Sequence, residues 1–211
     1  ATTEIYTLSL HDALPILYED LSGRVWIGTY EGGVSVYDPQ TSALRRYTDT
    51  TGQSAWFDRV RATAIREDRQ GRIWVATDGD GLLVLDASLG LLQRFQHDAK
   101  EPGSLSSNSV YALHLDGDGR LWVGTNGGGL DHVADMSADL KAVRFDNVSQ
   151  ADGLANDVIY GIQADNASML WLSSSNGLMR FDPRTKAIRT FHAGHGAQGA
   201  EFSAGASFRS A

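Results

Sequence analysis

Residues 110–130 read VYALHLDGDGRLWVGTNGGGL, and this stretch decides the fold. An apolar run ends on Asp116, a short polar turn reaches Gly119, Leu121-Trp122-Val123 forms a second run, and Asn126-Gly127-Gly128-Gly129 breaks it. Asp offers side-chain acceptors to a turn and Gly accepts positive φ, so Asp116 to Gly119 suits a tight reversal between two strands. A run rich in β-branched and aromatic residues that ends on glycines reads as a strand and its exit.

The same pattern returns in GRVWIGTYEGGVSVYD from Gly23, GRIWVATDGDGLLVLD from Gly71 and SMLWLSSSNGLMRFD from Ser168. Trp26, Trp74, Trp122 and Trp171 stand 48, 48 and 49 residues apart, a period that marks arrays or propellers. Turn acids Asp20, Asp68, Asp116 and Asp165 hold one place in each unit. A third strand closes near Asp38, Asp86 or Asp182, and a fourth is expected to end on Tyr47, Phe95, Phe145 or Phe191. Helical spacing is absent, so the class is all-β, and four antiparallel strands repeated radially make a β-propeller blade. Ala64, Ala112 and Gly161 align in the first strands, where blades crowd together, and the repeated Trp is expected to fill the wider gap between blades.

The expected architecture is a β-propeller fragment of four four-stranded blades at about 17–47, 60–95, 109–145 and 157–191, with the start of a fifth at 196–211. Four blades leave two open sheet faces where most propellers close with six to eight. Residues 1–16, ATTEIYTLSLHDALPI, break the pattern and resemble the in-frame translation of a short-read sequencing adapter. They are set aside as a non-native segment, and both ends are expected to be cut. Blade one then lacks most of its first strand, a slot that Ile5–Leu10 could fill.

The 211 residues carry 18 Lys and Arg against 26 Asp and Glu, a formal charge of −8 with no basic run, which argues against nucleic acid as a partner. The absence of Cys removes disulfides, thiolate zinc sites and thiol nucleophiles. No apolar run approaches the ~20 residues of a membrane span.

The repeat resembles that of the two-component regulator propellers, roughly V-x-A-I-x-E-D-x-x-G-x-L-W-[IV]-G-T-x-x-G-G-L-x-x-[FY]-D-P, over residues 17–211. LANDVIYGIQADNASMLWLSSSNGLMRFDP from Leu154 is similar to a late-blade variant, and GAQGAEFSAGASFRS from Gly196 to a last-blade opening. Blade three departs by an insertion before Asp135, and blade four puts Ser168 where the turn Gly stands. The resemblance implies the periplasmic sensing part of a bacterial inner-membrane receptor, dimeric and followed by a histidine kinase or diguanylate cyclase. Its implied partners are a small-molecule or carbohydrate ligand, the missing blades and the downstream signalling domains of the same chain. A propeller enzyme of lyase type, or a non-catalytic scaffold, are the alternatives.

Antiparallel connectivity places the B–C turns and the long D–A connections on one face, where a ligand is expected. Trp56 and Phe57 are adjacent aromatics that could stack on a ligand or plug the gap over the next blade. Asn108, Asn156 and Asp157 could point into the channel mouth or form Asx turns, and Tyr30, Asp78, Asp80 and Asn126 sit in B–C turns of the same face as candidates or as solvated turn residues. No metal, cofactor or catalytic residue is expected: Asp116-Gly117-Asp118-Gly119 lacks the Glu that completes a calcium loop, and His192 and His195 lack a third ligand.

Overall fold

The computed structural model describes residues 16–30, 32–46, 57–133, 135–136 and 139–192, the side chain of Asp58 apart. Strands β1 (Ile16–Glu19), β2 (Val25–Gly28), β3 (Val34–Asp38) and β4 (Ala43–Arg46) form the first sheet. The second holds β5 (Ala62–Glu67), β6 (Ile73–Thr77), β7 (Leu82–Leu85) and β8 (Leu91–Phe95), and the third β9 (Val110–Leu115), β10 (Leu121–Thr125), β11 (Leu130–Val133) and β12 (Asp146–Val148). β13 (Ile159–Ala164), β14 (Leu170–Ser174), β15 (Gly177–Phe181) and β16 (Ile188–Phe191) form the fourth. Each sheet is an antiparallel meander in chain order, the consequence of short strands joined by tight turns.

The sheets stand side by side with β1, β5, β9 and β13 touching in succession, so the first strands are innermost and the four blades form an arc. Three apolar clusters fill the gaps. Trp26 packs with Phe57, Ile65 and Leu83 between the first two blades, Trp74 with Leu105, Val110 and Leu113 between the next two, and Trp122 with Ile159, Leu172 and Phe181 between the last two. These three indoles are 0–1% exposed, as a residue that fills an inter-blade gap should be. Trp171 stands on the far face of the fourth blade, half-buried and stacked on Phe191 at 5.3 Å. Close approach near the axis explains Gly124, where a Cβ would lie 2.8 Å from Ile159 Cγ2 of the next blade.

Two expectations are corrected. The fourth strand of blade three does not end on Phe145; it is β12, Asp146–Val148, and Val148 opposes Leu130 as Phe95 opposes Leu82 and Phe191 opposes Leu178. The connection from β11 to β12 is longer than that from β7 to β8, so Phe145 falls ahead of the strand, where its buried ring meets Phe95 edge-on at 5.3 Å. Blade one has a first strand of its own, β1, with four residues against six in β5, β9 and β13. Ile5–Leu10 and the fifth-blade segment 196–211 lie outside the described residues.

The A–B turn repeats as a bonded unit. Asp20 Oδ1 accepts the amides of Ser22 and Arg24, each at 2.9 Å, and Oδ2 accepts Arg24 Nε at 2.7 Å and the Trp26 indole N–H at 2.8 Å. Asp68 makes the same set with Gln70, Arg72 and Trp74, and Asp116 with Asp118, Arg120 and Trp122. In blade four Met169 stands where the arginine would be, and Arg180 reaches Asp165 from the neighbouring strand at 3.2 Å. Ser168 holds the left-handed turn position, φ 61°, that Gly23, Gly71 and Gly119 hold elsewhere. The arginines also cross to the next blade: Arg24 donates to Ala87 O at 2.7 Å, and Arg72 donates to Met136 O.

Burial pushes the carboxyls of Asp20, Asp116 and Asp165 up, but the indole, backbone and arginine donors outweigh it and hold all three below the ordinary carboxylate range. Such a group contributes stability that is complete above the unfolded value of 3.8 and lost as pH falls through the lower folded value. Asp116→Asn should therefore cost about 2 kcal/mol at pH 7. The difference from the parent chain should shrink below about pH 4, read by urea unfolding under tryptophan fluorescence at both pH values.

Candidate ligand site at the channel mouth

At the B–C end each blade is stitched to the next through its main chain. Ala62 N of blade two donates to Thr29 O of blade one at 3.0 Å, while Asp78 N donates to Arg61 O at 2.9 Å and Asn126 N to Ser109 O at 2.8 Å within blades two and three. Asn108 O accepts from Gly79 and Gly81, and Asp157 O from Gly127 and Gly129. Gly129, at φ 84°, fits because a Cβ would lie 2.4 Å from Val148 O.

This stitching brings side chains of four blades to one edge. Arg61 Nη1 donates to Tyr30 Oη at 2.9 Å while the guanidinium lies 4.8 Å over the Tyr30 ring, and Arg61 Nη2 pairs with Asp78 Oδ2 at 2.9 Å. Ser109 Oγ donates to Asp78 Oδ1 at 2.8 Å. Asn126 Nδ2 donates to Tyr111 Oη at 2.9 Å, and Tyr111 stacks on Tyr160 with ring centres 5.7 Å apart. Burial first, then the Asp78 charge, push the Tyr111 phenol up, so it remains a neutral hydrogen-bond donor. Arg61 and Asp78 cancel each other's charge, leaving a girdle of phenol, amide and hydroxyl groups with partly open aromatic rings.

Of the expected site residues, Tyr30, Asp78 and Asn126 meet in this girdle. Asp80 faces away and pairs with Arg94 at 2.7 Å. Asn108 Oδ1 accepts His97 N and Asp157 Oδ1 accepts Gln150 N, both at 2.7 Å, so these side chains pin the D–A connections. Asn156 Oδ1 accepts Val158 N at 2.7 Å, an Asx turn. Phe57 is corrected: 1% exposed inside the first inter-blade core, its ring cannot stack on a ligand. Trp56 lies outside the described residues. Sequence reasoning passed over Arg61, Ser109, Tyr111 and Tyr160. Their signal was position, since Tyr111 and Tyr160 are both second in a first strand, between residues that point into the inter-blade cores.

Two ionisable groups lie elsewhere in blade three, one buried and one partly buried. Asp131, 0% exposed, accepts Ser106 N at 2.8 Å and Asn147 Nδ2 at 2.7 Å, and burial pushes its carboxyl up. His132 stacks on Trp122 at 4.6 Å, with Nε2 3.6 Å from Asp146 and a buried Nδ1 that meets no partner among the described residues. No group of three or more His, Asp or Glu placed to hold a metal ion occurs among the described residues.

An arc of four-stranded blades with innermost first strands defines a β-propeller. The model of the two-component regulator propeller matches residues 57–79 and 104–127, in blades two and three. The extracellular domain assigned to a hybrid two-component system of B. thetaiotaomicron superposes with a TM-score of 0.67 at 24% identity, over 83% of this chain and 22% of that one. A catalytically inactive virginiamycin B lyase from Staphylococcus aureus, solved with quinupristin, superposes with a TM-score of 0.61 at 14% identity, over 87% of this chain and 57% of that one. These likenesses show the fold. The chain spans about a fifth of the two-component domain's length and just over half of the lyase's. No curated protein matches the sequence.

Burial holds the His132 imidazole below its ordinary 6.5, against the opposing pull of Asp146. The unfolded ring gains its proton near 6.5 and the folded ring only lower, so stability falls as pH drops through 6.5 toward the folded value. Val36 and Val84 stand opposite the tryptophan in blades one and two as His132 does in blade three. His132→Val should reduce the drop in Tm between pH 7.5 and pH 5.5 by a few degrees, roughly, as calorimetry at the two pH values would show.

Proposed function

We propose that this chain is part of the extracytoplasmic, ligand-sensing propeller of a membrane-bound two-component type receptor, and that it acts by binding rather than by catalysis. The observation that carries the reading is the girdle running from Tyr30 through Arg61, Asp78 and Ser109 to Tyr111, Asn126 and Tyr160. It spans four blades on the loop face, and its groups suit a small molecule or a carbohydrate ring: aromatic faces for stacking, hydroxyl and amide groups for orientation. The regulator propeller repeats and the fold shared with a two-component extracellular domain support the receptor context. A ligand held by several blades biases the receptor through its differential affinity for two blade arrangements. The full-length receptor is membrane-anchored and dimeric, with its output in signalling domains of the same protein.

A thermal-shift screen of sugars and small metabolites against the chain should find a ligand that raises Tm by about 2 °C or more. Tyr111→Ala should weaken that ligand at least about tenfold, while Tyr37→Ala, at an outer position, leaves it unchanged. Equal binding by parent and Tyr111→Ala would place the ligand elsewhere and overturn the site. Protease added to intact spheroplasts should cleave the propeller of the full-length receptor; protection would overturn the location.

A further inference from the structure

The outer edge between blades two and three carries a second site, built where the chain leaves its repeat. The connection after β8 makes a long excursion before β9, and the long connection from β11 to β12 includes a short 3-10 turn at Leu140–Ala142. Phe145 N donates to Gly103 O at 2.9 Å and joins the two. Between them lies a cleft of about 270 Å³ whose apolar floor includes the buried rings of Phe95 and Phe145.

The charges of this cleft are sorted by wall. Asp98 and Glu101 belong to the first connection, Lys141 and Arg144 to the second. No ion pair joins the walls among the described residues. Asp98 Oδ1 accepts Lys100 N, and the Arg144 guanidinium donates to the carbonyls of Lys141 and Val143, which leaves its charge without a carboxylate. Arg94 also lines the cleft but is paired with Asp80. Two acids thus face two bases across an apolar floor. A simple anion would meet Asp98 and Glu101, and a simple cation Lys141 and Arg144; a ligand with both charges at opposite ends satisfies both walls at once. The volume falls just below the ~300 Å³ at which drug-sized pockets begin, so the ligand is small.

We infer that this cleft binds a zwitterion with an apolar side chain, a free amino acid or dipeptide, its ammonium toward Asp98 and Glu101, its carboxylate toward Lys141 and Arg144, and its side chain on Phe95 and Phe145. The probe is leucyl-phenylalanine, titrated calorimetrically against the chain at low salt beside its N-acetyl and C-amide forms. The free dipeptide should bind with a Kd on the order of 10⁻⁴ M. Each capped form should bind at least about tenfold more weakly, as should the free dipeptide to Lys141→Gln or Glu101→Gln, two exposed substitutions that leave Tm unchanged. Tyr111→Ala should bind it as the parent does, which separates this cleft from the channel mouth. No saturable heat up to about 10 mM, or capped forms that bind as well as the free dipeptide, would overturn the inference.

Discussion

A carboxylate tucked beneath each A–B turn is the interaction on which the rest of the structure depends. One oxygen closes the hairpin by accepting two amides, and the other holds an indole N–H and a guanidinium. The indole is thereby aimed into the gap between blades with its only polar atom satisfied, which is what lets so large a side chain be buried without loss. The guanidinium lies over the indole, 5.7 Å away in blade one and 5.8 Å in blade two, and in those blades it continues to a carbonyl of the next blade. A single acid therefore sets a local turn, a core side chain and an inter-blade bond. In blade four the turn arginine is replaced by Met169, and Arg180 from the adjacent strand takes up the same oxygen. The requirement is a donor at that oxygen rather than a residue at one place in the chain.

The two ends of each blade have different tasks. At the A–B end, Asp, Trp and Arg repeat because every blade has the same gap to fill. At the B–C end the main-chain pattern repeats, but the side chains it presents do not: Tyr30, Asp78 and Asn126 occupy similar turns, while Arg61 and Ser109 hold the equivalent entry positions. The main chain sets the spacing and leaves the side chains available for recognition. A ligand touching Tyr30 and Tyr160 together would sense the relative placement of blades one and four, a quantity no single blade contains. The outer cleft arises differently, from the long connections between β8 and β9 and between β11 and β12.

The fold was legible because the 48-residue period places tryptophan, turn acid and glycine in register four times, and a short strand bounded by turns permits few alternatives. Part of the candidate girdle was legible too. Tyr30, Asp78 and Asn126 were marked by their turns, and the Asx turn at Asn156 by residue type. At Phe57 the sequence left two readings open, because adjacency in a polar connection does not reveal which way a ring points; the ring plugs the first inter-blade gap, as the second reading had it. Phe145 was misread because the β11–β12 connection is longer than its counterpart in blade two, so the apolar strand-end position passes to Val148.

By itself, then, the sequence determined the repeat, the strand order within a blade and the chemistry of each turn, because these depend on contacts a few residues apart. Only the tertiary structure decided which turns meet: that Arg61 reaches Tyr30 and Asp78, that Tyr111 lies on Tyr160, that Arg180 substitutes for an absent neighbour, and that Asp98 and Glu101 line one cleft with Lys141 and Arg144. These contacts join residues from 15 to 49 positions apart, Arg61 with Asp78 and Arg180 with Asp165 across the strands of one sheet and the others through the packing of one blade against the next. A period in the sequence marks where each blade of this stretch begins, but not which side chains the arc turns toward its axis or its rim.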